Sequence, residues 1–209
     1  MIFTHLVTRI ERLRRHGVID ALRCRLARLW LRALHRVFSF DPWHIGAPYA
    51  CRRYKKIVVA LANSLRPEIV VEVGCGLGDI VSRVNAAQRI GIDSDPEVIR
   101  AARFLHPRKV CWVHGDGSAI NGAIPPDRPI DCLIMVNWIH GVSPEDLAAL
   151  LLPLLPRIRY LLLDAIDPDG AGSYKFRHDF AFLAGFAQRL SSMRAPDEPR
   201  SFVILKVDR

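Results

Sequence analysis

The sequence has few cysteines, and their arrangement argues against two kinds of site. The five cysteines are an odd number, no CxxC pair occurs, and Cys75, Cys111 and Cys132 lie in or beside predicted buried strands. A disulfide framework is therefore not expected, and a reducing compartment, the cytoplasm, suits the sequence better. No HExxH motif and no Cys/His cluster is present, so we expect no metal.

Long hydrophobic runs are also missing. No uninterrupted apolar run approaches the roughly 20 residues that a membrane-spanning helix needs. The N-terminal segment contains arginines but lacks the apolar core of a signal peptide. Half of the residues are hydrophobic and 24% are charged, which is the composition of a folded domain. A chain of 209 residues suffices for one domain with an appendage.

Lysine is absent from the first 40 residues, which contain nine arginines against only Glu11 and Asp20. This segment therefore holds +7 of the net charge of +9. Apolar residues recur at helical spacing in residues 2–16 and 18–37, on either side of Gly17. Arginines follow a neighbouring stripe of the second helix, at positions 25, 28, 32 and 36. We predict that residues 1–52 form a basic amphipathic helical arm and loop, and that residues 53–209 form the main domain.

Three roles for the basic arm remain open. It could pack on its own domain as a lid over a pocket. It could instead lie on an anionic membrane surface, at the inner face of a membrane, since arginine on one side and leucine or tryptophan on the other suit an interfacial helix. Contact with nucleic acid is less well supported, because the aromatic residues do not alternate with the basic ones. A second basic cluster follows at the start of the main domain, at Arg52, Arg53, Lys55 and Lys56, where it would attract an anionic acceptor or form a solvated helix face.

Residues 53–166 alternate between short apolar runs and helical patterns. A first helix is predicted over about 53–65. The predicted strands are 69–73, 89–93, 109–114, 130–136 and 159–166, and the helices between them are about 78–87, 95–105 and 144–155. Continuous apolar runs suit strands buried on both faces, so the pattern predicts a doubly wound, Rossmann-like α/β fold with a mostly parallel sheet.

The C-terminal pattern differs from the rest of the domain. A helix is predicted at about 175–187, followed by strands at 189–195 and 201–207 with a turn at Asp197–Pro199. An antiparallel hairpin of this kind would complete a seven-stranded sheet.

The most informative segment is a glycine-rich turn between the first strand and its helix. Gly74, Gly76 and Gly78 form GxGxG, with Glu72 at the end of the strand. The spacing differs from the GxGxxG of dinucleotide-binding folds. A carboxylate at Glu72 would favour a cationic amino-acid ligand over a pyrophosphate.

Residues 72–78 resemble the first motif of class I S-adenosylmethionine-dependent methyltransferases, and Asp93 resembles the acidic residue that binds the ribose in that family. The resemblance covers about residues 53–209. It implies S-adenosylmethionine as cofactor. The cofactor-binding residues that it implies are Glu72, Gly74, Gly76, Gly78, Asp93, Ser94, Asp116, Gly117, Asn137 and Trp138. Asp95 precedes Pro96 and is the better helix cap, which leaves Asp93 free for the ligand.

Methyl transfer to a hydroxyl also needs a base. His140, just after the fourth strand, is the preferred candidate, and His178 is the second. His44 and Tyr49 lie in the loop before the domain and could close over the site. Asp164 and Asp167 end the fifth strand, where some related enzymes bind a metal, but the resemblance does not extend to a ligand set here.

We therefore predict methyl transfer to a small-molecule acceptor, with O-methylation of a sugar or secondary metabolite as the preferred reaction. The alternatives are an RNA methyltransferase, against which the lack of an Asn-Pro-Pro-Tyr motif argues, and a scaffold protein that keeps the cofactor fold without catalysis. A nicotinamide-dependent oxidoreductase is disfavoured by the GxGxG spacing and by the absence of a Tyr-x-x-x-Lys pair. The oligomeric state is not predicted.

Overall fold

A computed structural model describes residues 2–170 and 174–208. A seven-stranded sheet forms its centre. The strands are β1 (Ile69–Val73), β2 (Gln88–Asp93), β3 (Cys111–His114), β4 (Ile130–Met135), β5 (Ile158–Ile166), β6 (Ala187–Arg194) and β7 (Arg200–Val207). The helices are α1 (Ile2–Phe38), α2 (Trp43–Gly46), α3 (Arg53–Ser64), α4 (Pro96–Leu105), α5 (Ile120–Ala123) and α6 (Pro144–Leu151).

The strand order is β3-β2-β1-β4-β5-β7-β6. Strands β1 to β5 are mutually parallel, whereas β7 runs antiparallel to both β5 and β6. The predicted Rossmann-like sheet and its C-terminal hairpin are thus confirmed. The direction of winding reverses between β1 and β4, and ligands of such sheets bind at that point, outside the carboxyl ends of the strands.

The sheet is covered by helices on both faces. Strand β1 is buried along its whole length, as expected for a central parallel strand. Val70 points into a cluster with α3 and α4, whereas Ile69 and Val71 belong to the opposite cluster, which contains α5 and α6. The apolar run of β1 therefore anchors two cores, and the loops at its carboxyl end rest on rigid elements.

Two of the helices predicted between the parallel strands are wrong or incomplete. The helix at 78–87 is only a single 3₁₀ turn, Val81–Arg83. Branched Ile80, Val81 and Val84 favour helix weakly, and the Val81 amide donates to Glu72 instead of to a helical carbonyl. The helix at 144–155 ends as α-helix at Leu151 and continues as 3₁₀ turns to Arg157, because Pro153 lacks an amide donor.

The helix predicted at about 175–187 is also wrong. Only Ala181–Leu183 forms a 3₁₀ turn there, and Phe180 is left-handed with φ of 60°. Tertiary hydrogen bonds replace helical ones, since the Phe176 amide donates to the His140 carbonyl at 3.0 Å. The segment lies across the loop after β4, and this contact places it beside the site.

The arm consists of two helical stretches separated at Gly17, as predicted, where φ of 71° and ψ of 163° lie outside the helical region. Near its end, Leu31 and Leu34 pack with Phe40 against Val98 and Ala101 of α4. None of the helices in the described part of the chain has the length and apolarity needed to cross a membrane. The division into an arm of residues 1–52 and a domain of residues 53–209 stays a prediction.

Candidate active site

The glycine-rich turn leaves no room for side chains. Gly74, Gly76 and Gly78 all have positive φ, between 54° and 77°, which disfavours other residues. A Cβ atom on Gly74 would lie 2.1 Å from the ring of Trp138, and one on Gly78 would lie 2.1 Å from the ring of Trp112. The three glycines are therefore required both by conformation and by close packing.

Asp93 connects the end of β2 to this turn. Its Oδ2 accepts a hydrogen bond from the Gly76 amide at 2.8 Å, and its Oδ1 accepts one from the Asp95 amide at 3.1 Å. Asp95 caps α4 by accepting from the Glu97 amide at 2.8 Å, which confirms its predicted role as the helix cap. Asp93 thus faces the turn with acceptor capacity remaining on both oxygens.

Glu72 is buried under the turn. Its Oε2 accepts a hydrogen bond from the Val81 amide at 2.8 Å. Burial raises the pKa of Glu72 to about 8, although the Val81 amide and nearby Lys55 oppose the shift. A buried carboxyl of this kind would be stabilised in its charged form by a cationic ligand group.

These residues border a cavity of about 360 Å³ at the carboxyl ends of β1, β2 and β4. Nine of the ten predicted cofactor residues line it. They are Glu72, Gly74, Gly76, Asp93, Ser94, Asp116, Gly117, Asn137 and Trp138. Gly78 is not among the lining residues and packs beneath the turn against Trp112.

The segment before α3 covers this cavity. Trp43 and His44 line it, and their rings are stacked with centroids 4.8 Å apart. His44 is one of the two loop residues expected to close over the site, whereas Tyr49 is not a lining residue and packs against the Arg83 guanidinium. Burial lowers the pKa of His44, with Asp93 opposing the shift.

Lys55 fixes this covering segment in place. Its Nζ donates to the Ala47 carbonyl at 2.6 Å and to Asp79 at 2.7 Å, and the side chain is buried. Within the second basic cluster, Arg52 and Arg53 pair with Glu198 and Asp197. The sequence did not separate Lys55 from the other residues of the basic cluster. Only its burial beside Asp79, which is visible in the structure, sets it apart from them.

Asn137 lies just after β4 in a strained backbone conformation. Its φ is 74° and its ψ is −61°, and the Trp138 amide donates to the Val136 carbonyl at 3.0 Å. These values define a γ-turn of the kind with positive φ, which is rarely populated. The Asn137 amide donates to Asp164 at 2.9 Å, and its side-chain carbonyl accepts from Arg200 at 3.2 Å. Tertiary contacts therefore hold this residue where the first cavity borders the end of β4.

Arg200 and Asp164 form a buried ion pair, with Nη1 and Oδ2 separated by 3.0 Å. Arg200 also donates to the Tyr174 hydroxyl at 2.7 Å and contacts Glu198 at 2.6 Å. Arg200 was not predicted as a site residue, because its sequence neighbourhood reads as an ordinary strand. Its burial is the signal that distinguishes it.

A second cavity of about 350 Å³ adjoins the first. The two cavities share Trp43, Tyr54 and Asn137. The second cavity is completed by residues of the covering segment, of the segment after β5 and of the C-terminal hairpin. These are Arg52, Tyr174, Glu198, Pro199 and Arg200.

The two histidines predicted as catalytic lie behind the cavities. His140 and His178 are buried and line neither cavity. His140 Nε2 lies 3.3 Å from Asp164, and its ring packs edge-on against Tyr174. His178 Nε2 donates to the Ile139 carbonyl at 2.9 Å, in a loop and not on the predicted helix. Either histidine could reach an acceptor only through another side chain.

Asp164 and Asp167 are engaged by other side chains. Asp164 pairs with Arg200, while Asp167 accepts from Ser201 and pairs with Arg194. Across residues 2–170 and 174–208, no three histidine, cysteine or carboxylate side chains are grouped so as to hold a metal ion.

Comparisons with known proteins agree with this geometry. A family model described as a methyltransferase domain matches residues 70–155. The N-methyltransferase NodS from Bradyrhizobium japonicum WM9, in complex with S-adenosyl-L-homocysteine, superposes with a TM-score of 0.64 at 12% identity, covering 85% of this chain and 98% of that one. No curated protein sequence matches the chain.

Two further solved structures have the same fold. Magnesium protoporphyrin IX methyltransferase from Synechocystis PCC 6803, with bound S-adenosyl-L-homocysteine, has a TM-score of 0.59 at 12% identity over 74% of this chain and 84% of that one. The mitomycin 7-O-methyltransferase MmcR has a TM-score of 0.59 at 15% identity, and the match covers 84% of this chain and 60% of that one. Residues 70–155 thus resemble a methyltransferase domain, and the three solved methyltransferases share the doubly wound fold of this chain.

The first prediction concerns Asp93 and the cofactor. S-adenosylhomocysteine at 100 times its dissociation constant should stabilise the wild-type protein by about 2.7 kcal/mol. If Asp93 binds the ribose, Asp93→Ala should abolish the corresponding rise in melting temperature, because a carboxylate acceptor at the end of β2 is lost. Asp93→Asn keeps one acceptor oxygen for the Gly76 amide and serves as the control for the turn. A full ligand-induced shift in Asp93→Ala would contradict the assignment.

The second prediction concerns Glu72 and pH. Folding raises the pKa of Glu72 from the ordinary 4.5 to about 8, so the folded protein retains a proton that the unfolded chain loses in this range. The free energy of unfolding should therefore fall as pH rises from 4.5 to 8, by roughly 2 to 5 kcal/mol. Urea unfolding across this range should show the fall in wild type.

Glu72→Gln should remove this part of the pH dependence, since an amide does not titrate and its oxygen can still accept from Val81. Glu97→Gln, on the surface of α4, is the matched control and should keep the wild-type slope. An unchanged slope in Glu72→Gln would show that another group titrates.

Proposed function

We propose that this protein is an S-adenosylmethionine-dependent methyltransferase, and that it methylates a small hydroxylated molecule, such as a sugar or a secondary metabolite, on oxygen. The observation that carries the proposal is the junction of the two cavities at Trp43, Tyr54 and Asn137. A cofactor in the first cavity and an acceptor in the second would meet there. The relatives named as magnesium protoporphyrin IX methyltransferase and mitomycin 7-O-methyltransferase support the choice of a small molecule.

The residues of the first cavity fit S-adenosylmethionine. The glycine-rich turn allows close approach, Asp93 offers carboxylate oxygens to the ribose hydroxyls, and Glu72 offers a buried carboxylate to the amino-acid part. The cofactor supplies a methyl group activated on a sulfonium. The protein contributes alignment, which can lower the barrier by up to roughly 7–11 kcal/mol.

The lining of the second cavity supports a hydroxylated acceptor. Trp43, Tyr54 and Tyr174 offer aromatic surface, while Arg52 and Glu198 offer donors and acceptors for hydroxyl groups. The two arginines and the carboxylates of Asp164 and Glu198 neutralise one another, so the cavity has no strong preference for a charged acceptor. A volume of about 350 Å³ falls within the range of small-molecule sites.

We infer that His44 is the general base. It lines the cofactor cavity, and burial lowers its pKa, so its imidazole is neutral at pH 7 and can accept a proton. His140, the base preferred from sequence, lies behind Tyr174 and would act only through that phenol. His44 lines the first cavity, and its stacking partner, Trp43, lies where the two cavities meet.

The acceptor site is tested by measuring separately how variants change the acceptor KM and the cofactor affinity. Formation of S-adenosylhomocysteine is measured with a panel of sugars, phenols and amines. For the acceptor that is turned over, Arg52→Gln and Tyr174→Phe should raise the acceptor KM about tenfold, the value of one lost hydrogen bond, and leave cofactor affinity unchanged. Arg189→Gln, an exposed arginine outside both cavities, is the control.

Turnover of amines alone would contradict O-methylation. Equal loss of cofactor affinity in the Arg52 and Tyr174 variants would contradict the assignment of the second cavity. Binding of S-adenosylhomocysteine with no turnover of any acceptor would favour the scaffold alternative.

The test of His44 is a pH profile. Wild-type kcat should be independent of pH above 6.5, the ordinary pKa of histidine. It should fall at a pH below 6.5, as His44 becomes protonated. His44→Gln should lower kcat by about 10²–10⁴-fold and remove this acid limb. His140→Gln is the matched control. If His140→Gln removes the limb and His44→Gln keeps it, the proton passes through Tyr174 to His140 instead.

A further inference from the structure

The second half of α1 exposes an apolar face that no other described part of the chain covers. Its large side chains range from 49% exposed at Leu29 to 75% exposed at Val18. We call residues 18, 19, 22, 26, 29, 30 and 37 the outer face, which comprises Val18, Ile19, Leu22, Leu26, Leu29, Trp30 and Val37. At 3.6 residues per turn these positions occupy one continuous arc of the helix.

The domain is packed against a different side of the same helix. Leu31 and Leu34 are buried there, and Phe38 packs with them against α4. The outer face is therefore not the side that fixes the arm to the domain. Residues 18–37 would extend about 30 Å along the helix axis.

Arginines flank the outer face. Arg25, Arg32 and Arg36 are exposed along one border, and exposed Arg23 lies at the other border beside Asp20. Asp20 is the only acidic residue in residues 18–37, so the helix surface is strongly cationic. An apolar face between cationic borders, with a tryptophan near one border, is the pattern of a helix that lies in a membrane interface.

We propose that the outer face of α1 binds the surface of an anionic lipid bilayer. The leucines would insert among the acyl chains, Trp30 would lie at the headgroup level, and the arginines would contact lipid phosphates. A second copy of the chain is a poorer partner, because pairing two outer faces would bring cationic borders together without acidic residues to match them. Nucleic acid is also a poorer partner than a bilayer, since it would bind the arginines through its phosphates and leave the leucines exposed to water.

The experiment is co-sedimentation of the full chain with vesicles of phosphatidylcholine, with or without phosphatidylglycerol. The wild type should bind the anionic vesicles and bind pure phosphatidylcholine much less. The variant with Leu22→Ser, Leu26→Ser and Leu29→Ser should lose binding about 100-fold or more, because apolar burial is lost. The variant with Arg25→Gln, Arg32→Gln and Arg36→Gln should lose about 100-fold on anionic vesicles, at about 1 kcal/mol for each arginine.

A control variant changes equally exposed residues elsewhere, with Leu190→Ser and Arg189→Gln on β6, and should bind as wild type does. All the changed side chains are exposed, so melting temperatures and their shifts with S-adenosylhomocysteine should stay at wild-type values. This readout also keeps the membrane test independent of the acceptor and of catalysis.

Trp30 provides a direct probe of insertion. Brominated lipids should quench part of the wild-type tryptophan emission, and Trp30→Phe should remove that part.

Three results would overturn the proposal. They are no binding of the wild type to anionic vesicles at low salt, unchanged binding of the triple-serine variant, and a wild-type dimer that the triple-serine variant converts to monomer.

Discussion

The buried ion pair between Asp164 and Arg200 is the contact on which the geometry of the site depends. It joins the carboxyl end of β5 to the start of β7, and both partners also hold Asn137. Breaking a buried pair by removing one partner leaves an unpaired charge, which typically lowers stability by about 3–5 kcal/mol. A residue in a strained γ-turn persists only where its surroundings determine its position in this way.

The pair also explains why the C-terminal hairpin contributes to the second cavity. Arg200 reaches Tyr174 and Glu198, so β7, the hairpin turn and the segment after β5 converge on one guanidinium. The second cavity is built from those same residues. Its shape is therefore linked to the sheet, whereas the cofactor cavity is built from the ends of β1, β2 and β4.

Local patterns in the sequence predicted the sheet and the cofactor cavity because both depend on short segments. The apolar runs, the GxGxG turn and the Asp93–Asp95 pair each carry their signal within a few residues. Tertiary hydrogen bonds decide the rest. The segment around His178 resembles a helix in its periodicity, but the Ile139 and His140 carbonyls bind it as a loop. Arg200 gave no local signal, since Tyr174 and Asp164, to which it donates hydrogen bonds, lie 26 and 36 residues away.

The covering segment connects the two halves of the molecule. The chain runs from α1, with its exposed apolar face, through Phe40 directly to Trp43 and His44 over the cavities. Lys55 fixes this segment to Asp79 beside the glycine-rich turn, and Phe40 fixes it to the end of α1. Only a few residues separate Phe40 from Trp43 and His44, so one short stretch of chain both packs against the end of α1 and covers the cavities. The position of this cover is therefore set by contacts at both of its ends, the apolar packing of Phe40 and the hydrogen bond from Lys55 to Ala47.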